Sequence, residues 1–262
     1  KYHGLGNDFL VALAAENPGL TADPSLAEHL CDRRRGIGAD GLILALAPLD
    51  PANDARMVLL NSDGSEAEIS GNGIRCLAQA VFRTRPDCRE LRIATPAGTR
   101  TLQLHGVDGH SAQIEVSMGA VVDGPPLVAL EELARPSFEL LRAATGDVGN
   151  PHIVLLVDDL VAVDPSIDGP AIEAHYKPEG LNVHFVAHDH GDVITVVHWE
   201  RGSGVTEACG SGATVAATLA RGWGLVGDEV RVQMPGGDAT VRVGDDATLT
   251  GPATYIAEIE AA

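Results

Sequence analysis

The chain has 262 residues, 45% of them apolar, and its 18 Lys and Arg against 37 Asp and Glu give a formal charge of −19. That balance argues against nucleic acid or an anionic membrane as partner, since both need clustered Lys and Arg, and no stretch approaches the roughly 18 uncharged apolar residues of a membrane span. Length suits one large domain or two small ones, and Lys1 to Asp8 lack a signal-peptide layout, so a soluble cytoplasmic protein is expected.

In chain order, the first helical pattern runs from Ser25 to Arg33, followed by a strand at Met57–Leu60 and a second helix at Gly71–Arg83. Strands follow at Leu91–Ala94, Thr101–Leu104, Gln113–Val116, Ile153–Val157, Val183–Ala187 and Val193–Glu200. A third helix at Gly210–Arg221 precedes strands at Val230–Met234 and Tyr255–Ile259. Several strands alternate apolar with polar residues, as half-buried antiparallel strands do, so an α+β fold is expected, with sheets around few helices. Cys31, Cys76, Cys88 and Cys209 are too few and scattered for a disulfide scaffold and are read as reduced.

One device occurs twice. Glu68-Ile69-Ser70-Gly71-Asn72-Gly73 opens one helix and Glu207-Ala208-Cys209-Gly210-Ser211-Gly212 opens another, 139 positions on (207 minus 68). Two copies half a chain apart suggest two related domains. A helix N-terminus exposes unpaired N–H groups and partial positive charge, and glycines let a ligand approach that backbone, so each loop is a candidate carboxylate cradle. Cys209 sits at the cap, where the helix field is expected to lower its pKa toward neutrality. If both loops face one carboxylate across a domain cleft, residues 70 and 209 flank the α-carbon. Stereoinversion requires that arrangement, one group removing a proton and the other supplying one on the opposite face. The amides would take up the carbanion's charge in place of a cofactor.

The sequence resembles the diaminopimelate epimerase family in seven ordered blocks. They are His3-Gly4-Leu5-Gly6-Asn7-Asp8-Phe9, Cys31 to Gly41, Asn61 to Glu66 with Gly71-Asn72-Gly73, Gly149-Asn150-Pro151-His152, Leu181-Asn182-Val183, Glu200-Arg201-Gly202, and Ala208 to Gly212. The resemblance implies two pseudo-symmetric domains, each a curved, mainly antiparallel sheet around a central helix, with residues 1–115 plus 252–262 in the first and 116–251 in the second. It implies a cofactor-independent epimerase of a small amino acid, and a homodimer. By motif position, Asn7, Asn61, Asn150, Asn182 and Arg201 would hold the distal end of the substrate, Gly71-Asn72 and Gly210-Ser211 its α-carboxylate. Glu200 would meet the α-ammonium, and His152 with Glu200 would assist the acid/base pair.

Two positions depart from the family pattern. Its first catalytic cysteine precedes Gly-Asn-Gly, where this chain has Ser70, and Cys76 lies inside the helix as a core residue. Ser70 is read as an engineered exchange, a natural variant assisted by a neighbouring Glu or His, or a sign of drifted activity; Ser or Thr opposite Cys occurs in superfamily relatives acting on hydroxylated prolines, including dehydratases. Gly41 stands where some members carry a substrate-contacting Gln. Besides interconversion of LL- and meso-diaminopimelate for lysine and cell-wall synthesis, a racemase of another amino acid such as histidine, a Ser/Cys-type dehydratase and a non-catalytic amino-acid-binding homologue stay open. No metal is expected; His188-Asp189-His190 with His198 is the one suggestive grouping, and its first three residues are read as a solvent-exposed turn between strands.

Overall fold

The structure, a computed structural model, describes residues 1–67, 69–135 and 137–260. Glu68, which opens the first copy of the repeated loop, lies outside the described residues, as do Ala261 and Ala262 at the end of the segment assigned to the first domain. The chain divides into two compact units, passing from one to the other near Ser117 and again near Thr250.

The first unit begins with a hairpin. β1 (Tyr2–Gly4) turns into β2 (Asn7–Leu13) through Leu5 and Gly6, both at positive φ, 55° and 85°. Such a two-residue turn matches the twist of the strands it joins. There follow α1 (Pro24–Cys31), β3 (Gly41–Leu46), β4 (Ala55–Asn61), β5 (Glu66–Ala67), α2 (Gly71–Thr84), β6 (Glu90–Thr95), β7 (Gly98–Asp108) and β8 (Ser111–Gly119). Asp23 caps α1, its carboxylate accepting from Ser25 N at 2.9 Å, and Pro24 starts the helix where no N–H is needed. β2 and β3 are parallel with α1 between them, and β4 and β6 are parallel with α2 between them. A parallel neighbour requires such a crossover, because the chain must return to the same end of the sheet. The last strand of the chain, Ala247–Tyr255, lies beside β8 and pairs with β1, closing eight strands into a ring. Residues 71–82 of α2 are all buried.

The second unit runs through β9 (Val122–Asp123), α3 (Leu130–Leu133), β10 (Leu140–Asp147), β11 (Pro151–Val157), α4 (Pro165–Glu173), β12 (Asn182–His190), β13 (Val193–Trp199), α5 (Gly210–Gly222), β14 (Glu229–Met234), β15 (Gly237–Arg242) and the start of β16 (Ala247–Tyr255). β11 and β12 are parallel across α4, and β13 and β14 are parallel across α5. One sheet face carries Ile153, Leu155, Val183 and Phe185 into a core with Ile172 of α4. On the opposite parity, His152, His184 and His198 are buried.

The helices expected at 25–33, 71–83 and 210–221 form within two residues of those bounds. Several expectations are corrected. Among the described residues most pairs are antiparallel, as expected, but four are parallel, for the crossover reason above. The strand expected at Tyr255–Ile259 does not form; the final strand lies upstream at Ala247–Tyr255 and stops there, since its partner β1 pairs only as far as Tyr2 and Ile256 and Ile259 are exposed. β13 ends at Trp199, and Glu200 instead forms an isolated bridge with Gly204. No helix among the described residues is long and apolar enough to cross a membrane.

Candidate active site

In the first unit the loop begins at Ser70, whose extended backbone (φ −136°, ψ 117°) lets its Oγ accept from Gly73 N at 3.0 Å. The side chain of Asn72, immediately inside the helix, is tied down from both ends. Arg75 Nη2 donates to Asn72 Oδ1 (2.7 Å), Asn72 Nδ2 donates to Asn7 Oδ1 (3.3 Å), and Asn7 Nδ2 donates to Asp40 Oδ2 (2.7 Å). Arginine only donates and an ionised carboxylate only accepts, so the orientation of both amides is fixed. The hairpin turn at Leu5-Gly6 starts β2 at Asn7, and Gly4 lies against Asn72, where an added Cβ would stand 3.2 Å from Asn72 Cβ. Asp8, beside this row, bonds Arg33 at 2.6 Å and Lys1 at 2.8 Å. Burial alone would raise its pKa, but those two cations hold it below the usual carboxylate range. Arg75 is fully buried, and burial lowers its pKa to about 10. Its Nε and Nη1 lack a hydrogen-bond partner.

In the second unit the corresponding loop has Cys209 at the cap (φ −127°, ψ 108°), with Gly212 N donating to Sγ at 3.4 Å and Ser211 Oγ 3.6 Å from the sulfur. The lowered thiol pKa expected from the helix N-terminus is not realised. Burial pushes the Cys209 thiol well above its ordinary value, the Glu200 carboxylate adds to this by its charge and by accepting a hydrogen bond from the thiol, and the bonds from Gly212 and Ser211 oppose it only in part. The helix end offers partial charges, whereas burial removes hydration of a full one.

Parallel pairing sets His152 opposite Asn182, and antiparallel pairing sets His184 opposite His198. His152 Nε2 meets Asn150 Oδ1 at 2.9 Å and its Nδ1 meets His184 Nε2 at 2.9 Å. The His184 and His198 rings lie 5.6 Å apart, and His198 Nε2 meets Thr206 Oγ1 at 2.9 Å. Thr206 in turn donates to Glu200 Oε1. Burial holds all three histidines neutral, His152 at about 3 and His198 at about 4, with His184 also well below the ordinary value. The His184 ring packs so closely on α5 that a Cβ added at Gly212 would fall 1.9 Å from its Cε1.

Of the residues singled out in the sequence, Asn7, Asn61, Ser70, Gly71 and Asn72 belong to the first unit. Asn150, His152, Asn182, Glu200, Arg201, Cys209, Gly210 and Ser211 belong to the second. Within its unit Asn7 joins Asn72, while Asn61 donates to Ser65 Oγ (3.0 Å) inside its own turn. Asn182 accepts from Arg201 N at 3.0 Å and donates to Pro151 O at 3.2 Å, and Arg201 Nη1 donates to Glu179 O at 2.9 Å. Gly41 pairs across the sheet with Asn61, and any Cβ there would come 2.7 Å from Leu60 O, so this backbone has no room for the side chain some relatives carry. His198 does not group with His188 and His190, which end β12; it pairs with His184 instead. Cys76 is a fully buried core residue whose thiol burial pushes up to about 12. Arg75, His184, His198 and Thr206 escape a motif-based reading. For His198 the alternation of β13 carries a signal, since it falls on the buried parity with Ile194 and Val196, whereas β12 is buried on both sides of His184 and shows none.

The fold is shared with a solved phenazine biosynthesis protein of the PhzF family from Bacillus anthracis, which the chain matches with TM-score 0.73 and 18% identity, over 96% of this chain and 93% of that one. The diaminopimelate epimerase family model matches residues 1–123 and 145–256. A diaminopimelate epimerase of Desulfitobacterium hafniense is 39% identical across 98% of this chain and 95% of its own length, and one of Carboxydothermus hydrogenoformans is 38% identical across 98% and 96%. The chain belongs to the diaminopimelate epimerase family.

Proposed function

We propose that the chain interconverts LL- and meso-diaminopimelate without a cofactor, by taking a proton from one α-carbon and returning one to the opposite face. Family membership supports the substrate. The observation that carries the chemistry is Cys209, buried at the cap of α5 with Glu200 as acceptor of its thiol proton. Glu200 takes that proton, the S–H bond breaking as an O–H bond forms, and the thiolate then removes the α-proton. A thiolate of raised pKa is the stronger base for a weakly acidic C–H. Charge building on the substrate carboxylate is met by the amides of Gly210 and Ser211 and, from the other loop, of Gly71 and Asn72. Ser70 serves the other face, and His152 supports the acid/base pair. Asn7, Asn61, Asn150, Asn182 and Arg201 hold the distal amino-acid end.

The reading includes two pseudo-symmetric domains, residues 1–115 plus 252–262 and residues 116–251. Both capped loops share one backbone conformation, and the order of parallel and antiparallel pairs around α1 and α2 recurs around α4 and α5. Asp23-Pro24-Ser25 and Asp164-Pro165-Ser166 cap corresponding helices 141 positions apart (164 minus 23), which supports duplication further. A cytoplasmic homodimer completes the proposal, and sedimentation at micromolar concentration checks the assembly.

Incubation of the chain with either isomer in heavy water tests the reaction, with NMR following solvent deuterium into one α-carbon. Because a serine hydroxyl ionises far above neutral pH, one isomer should take up deuterium faster than it inverts. Absence of deuterium with both isomers overturns the proposal.

A further inference from the structure

A polar row in the second unit leads to Glu200 through Thr206 and His198, neither of them among the site residues expected from the sequence. Thr206 Oγ1 has one proton to give and two neighbours, Glu200 Oε1 and His198 Nε2. Where His198 points its own N–H at Thr206, the hydroxyl proton is left for the carboxylate. Where Nε2 is bare, the hydroxyl turns to His198 and presents a lone pair to Glu200. His198 Nδ1 is buried without a partner, and a buried N–H without an acceptor is rarer and costlier than a buried lone pair without a donor. The Nε2–H form is therefore favoured, and it aims Thr206 at Glu200. The same logic orders the other end of the row: His152 Nε2–H donates to Asn150 Oδ1 and its Nδ1 accepts from His184 Nε2–H, leaving the partnerless His184 Nδ1 bare. His198 cannot rotate out of register, since its side chain is fully buried and its ring is stacked near His184, which α5 holds at Gly212.

We propose that Thr206 and His198 are positioning residues for proton transfer at Cys209: His198 orients the Thr206 hydroxyl, and the hydroxyl fixes and tunes the Glu200 carboxylate that exchanges a proton with the thiol. This rests on the reading of Glu200 given above. A hydroxyl donating to an ionised carboxylate favours its charged form. Loss of that bond makes Glu200 more basic, so it stays protonated to higher pH and cannot take the thiol proton there. Titratable groups that face Glu200 include the Cys209 thiol at the start of α5 and the His198 imidazole on β13, 4.0 Å from Oε1, which burial keeps neutral.

Epimerisation kinetics of the full chain between about pH 5 and 9 test the proposal. Thr206→Val should lower kcat about tenfold and leave KM within about twofold, with the acidic limb of kcat/KM moved upward by up to about one pH unit. Thr206→Ser should restore both rate and limb. His198→Leu should copy Thr206→Val, and His198→Gln, which keeps a donor, should retain the wild-type limb. An unmoved limb in Thr206→Val, whether or not activity falls, overturns the proposal, as does failure of Thr206→Ser to restore it. Glu200→Gln separates the two levels. If it turns over like the unmodified chain, the reading of Glu200 itself fails, whereas loss of turnover there with a silent Thr206→Val overturns the positioning role alone.

Discussion

Ser70 and Cys209 occupy equivalent caps, with backbone angles within about ten degrees of each other and the same bond from an amide three residues on, yet one ends in oxygen and the other in sulfur. Capping is indifferent to that exchange, because any short side chain with a lone pair can accept from the helix. Proton transfer at carbon is not, because the hydroxyl ionises far above neutral pH while a thiol lies within reach of a neighbouring carboxylate. The surroundings differ as well. Asn72, beside Ser70, takes part in an oriented row of amides running from Arg75 to Asp40, and the row behind Cys209 is one of neutral imidazoles leading to Glu200.

Cys209→Ala breaks the comparison most severely. Turnover should fall by about a thousandfold or more, since the remaining hydroxyl at position 70 is a far weaker base than a thiolate. Ser70→Cys should sharpen it in the other direction, raising turnover about tenfold to a hundredfold in the same assay; an unchanged or lower rate removes residue 70 from the proton path.

Equivalent glycines in the two loops give a stability contrast. Gly212→Ala drives a Cβ into the His184 ring and should cost about 2–3 kcal/mol in denaturant unfolding. Gly73→Ala meets the flexible end of Ile43 at 3.0 Å and should cost about 1 kcal/mol or less. Equal costs would mean that the histidine row yields as readily as a side-chain methyl.

The smallest effect concerns acid. The folded-state pKa values of His152 and His198 are depressed to about 3 and about 4, so below the unfolded value near 6.5 the unfolded chain binds more protons. Their contribution to stability is complete above that pH and declines as pH falls toward 4. Asp8 acts in the same direction at lower pH, its ion pairs being lost as pH falls through its depressed pKa. Thermal unfolding followed in buffers from about pH 7 to 4 should show the midpoint falling from about 6.5 downward, with the signal of the second unit leading.

The repeated cap was legible because it combines a fixed spacing with residues that helix starts demand, and family likeness followed from ordered blocks. The helix α4 was legible in principle, since Asp164-Pro165-Ser166 repeats the cap of α1. Its apolar positions are sparse and Pro170 interrupts it, which hides the period. Parallel pairing was not legible, because fully buried strands lose the alternation that marks a sheet face. The state of Cys209 is hidden for a different reason: sequence places it at a helix end, but only three dimensions bury it and bring Glu200 to its thiol. The roles of Thr206 and His198 are hidden for the same cause: Thr206 is unremarkable until its neighbour is known, and His198 is grouped by sequence with the wrong histidines.

The guanidinium of Arg75, sealed within the first unit at one end of a row that finishes on Asp40, gives that row a sense of direction. Neither Asn72 nor Asn7 can be turned end for end without setting donor against donor or acceptor against acceptor. A visitor to this loop therefore meets a keyhole cut when the protein folded, and Arg75→Met should leave the lock in place while letting its tumblers spin.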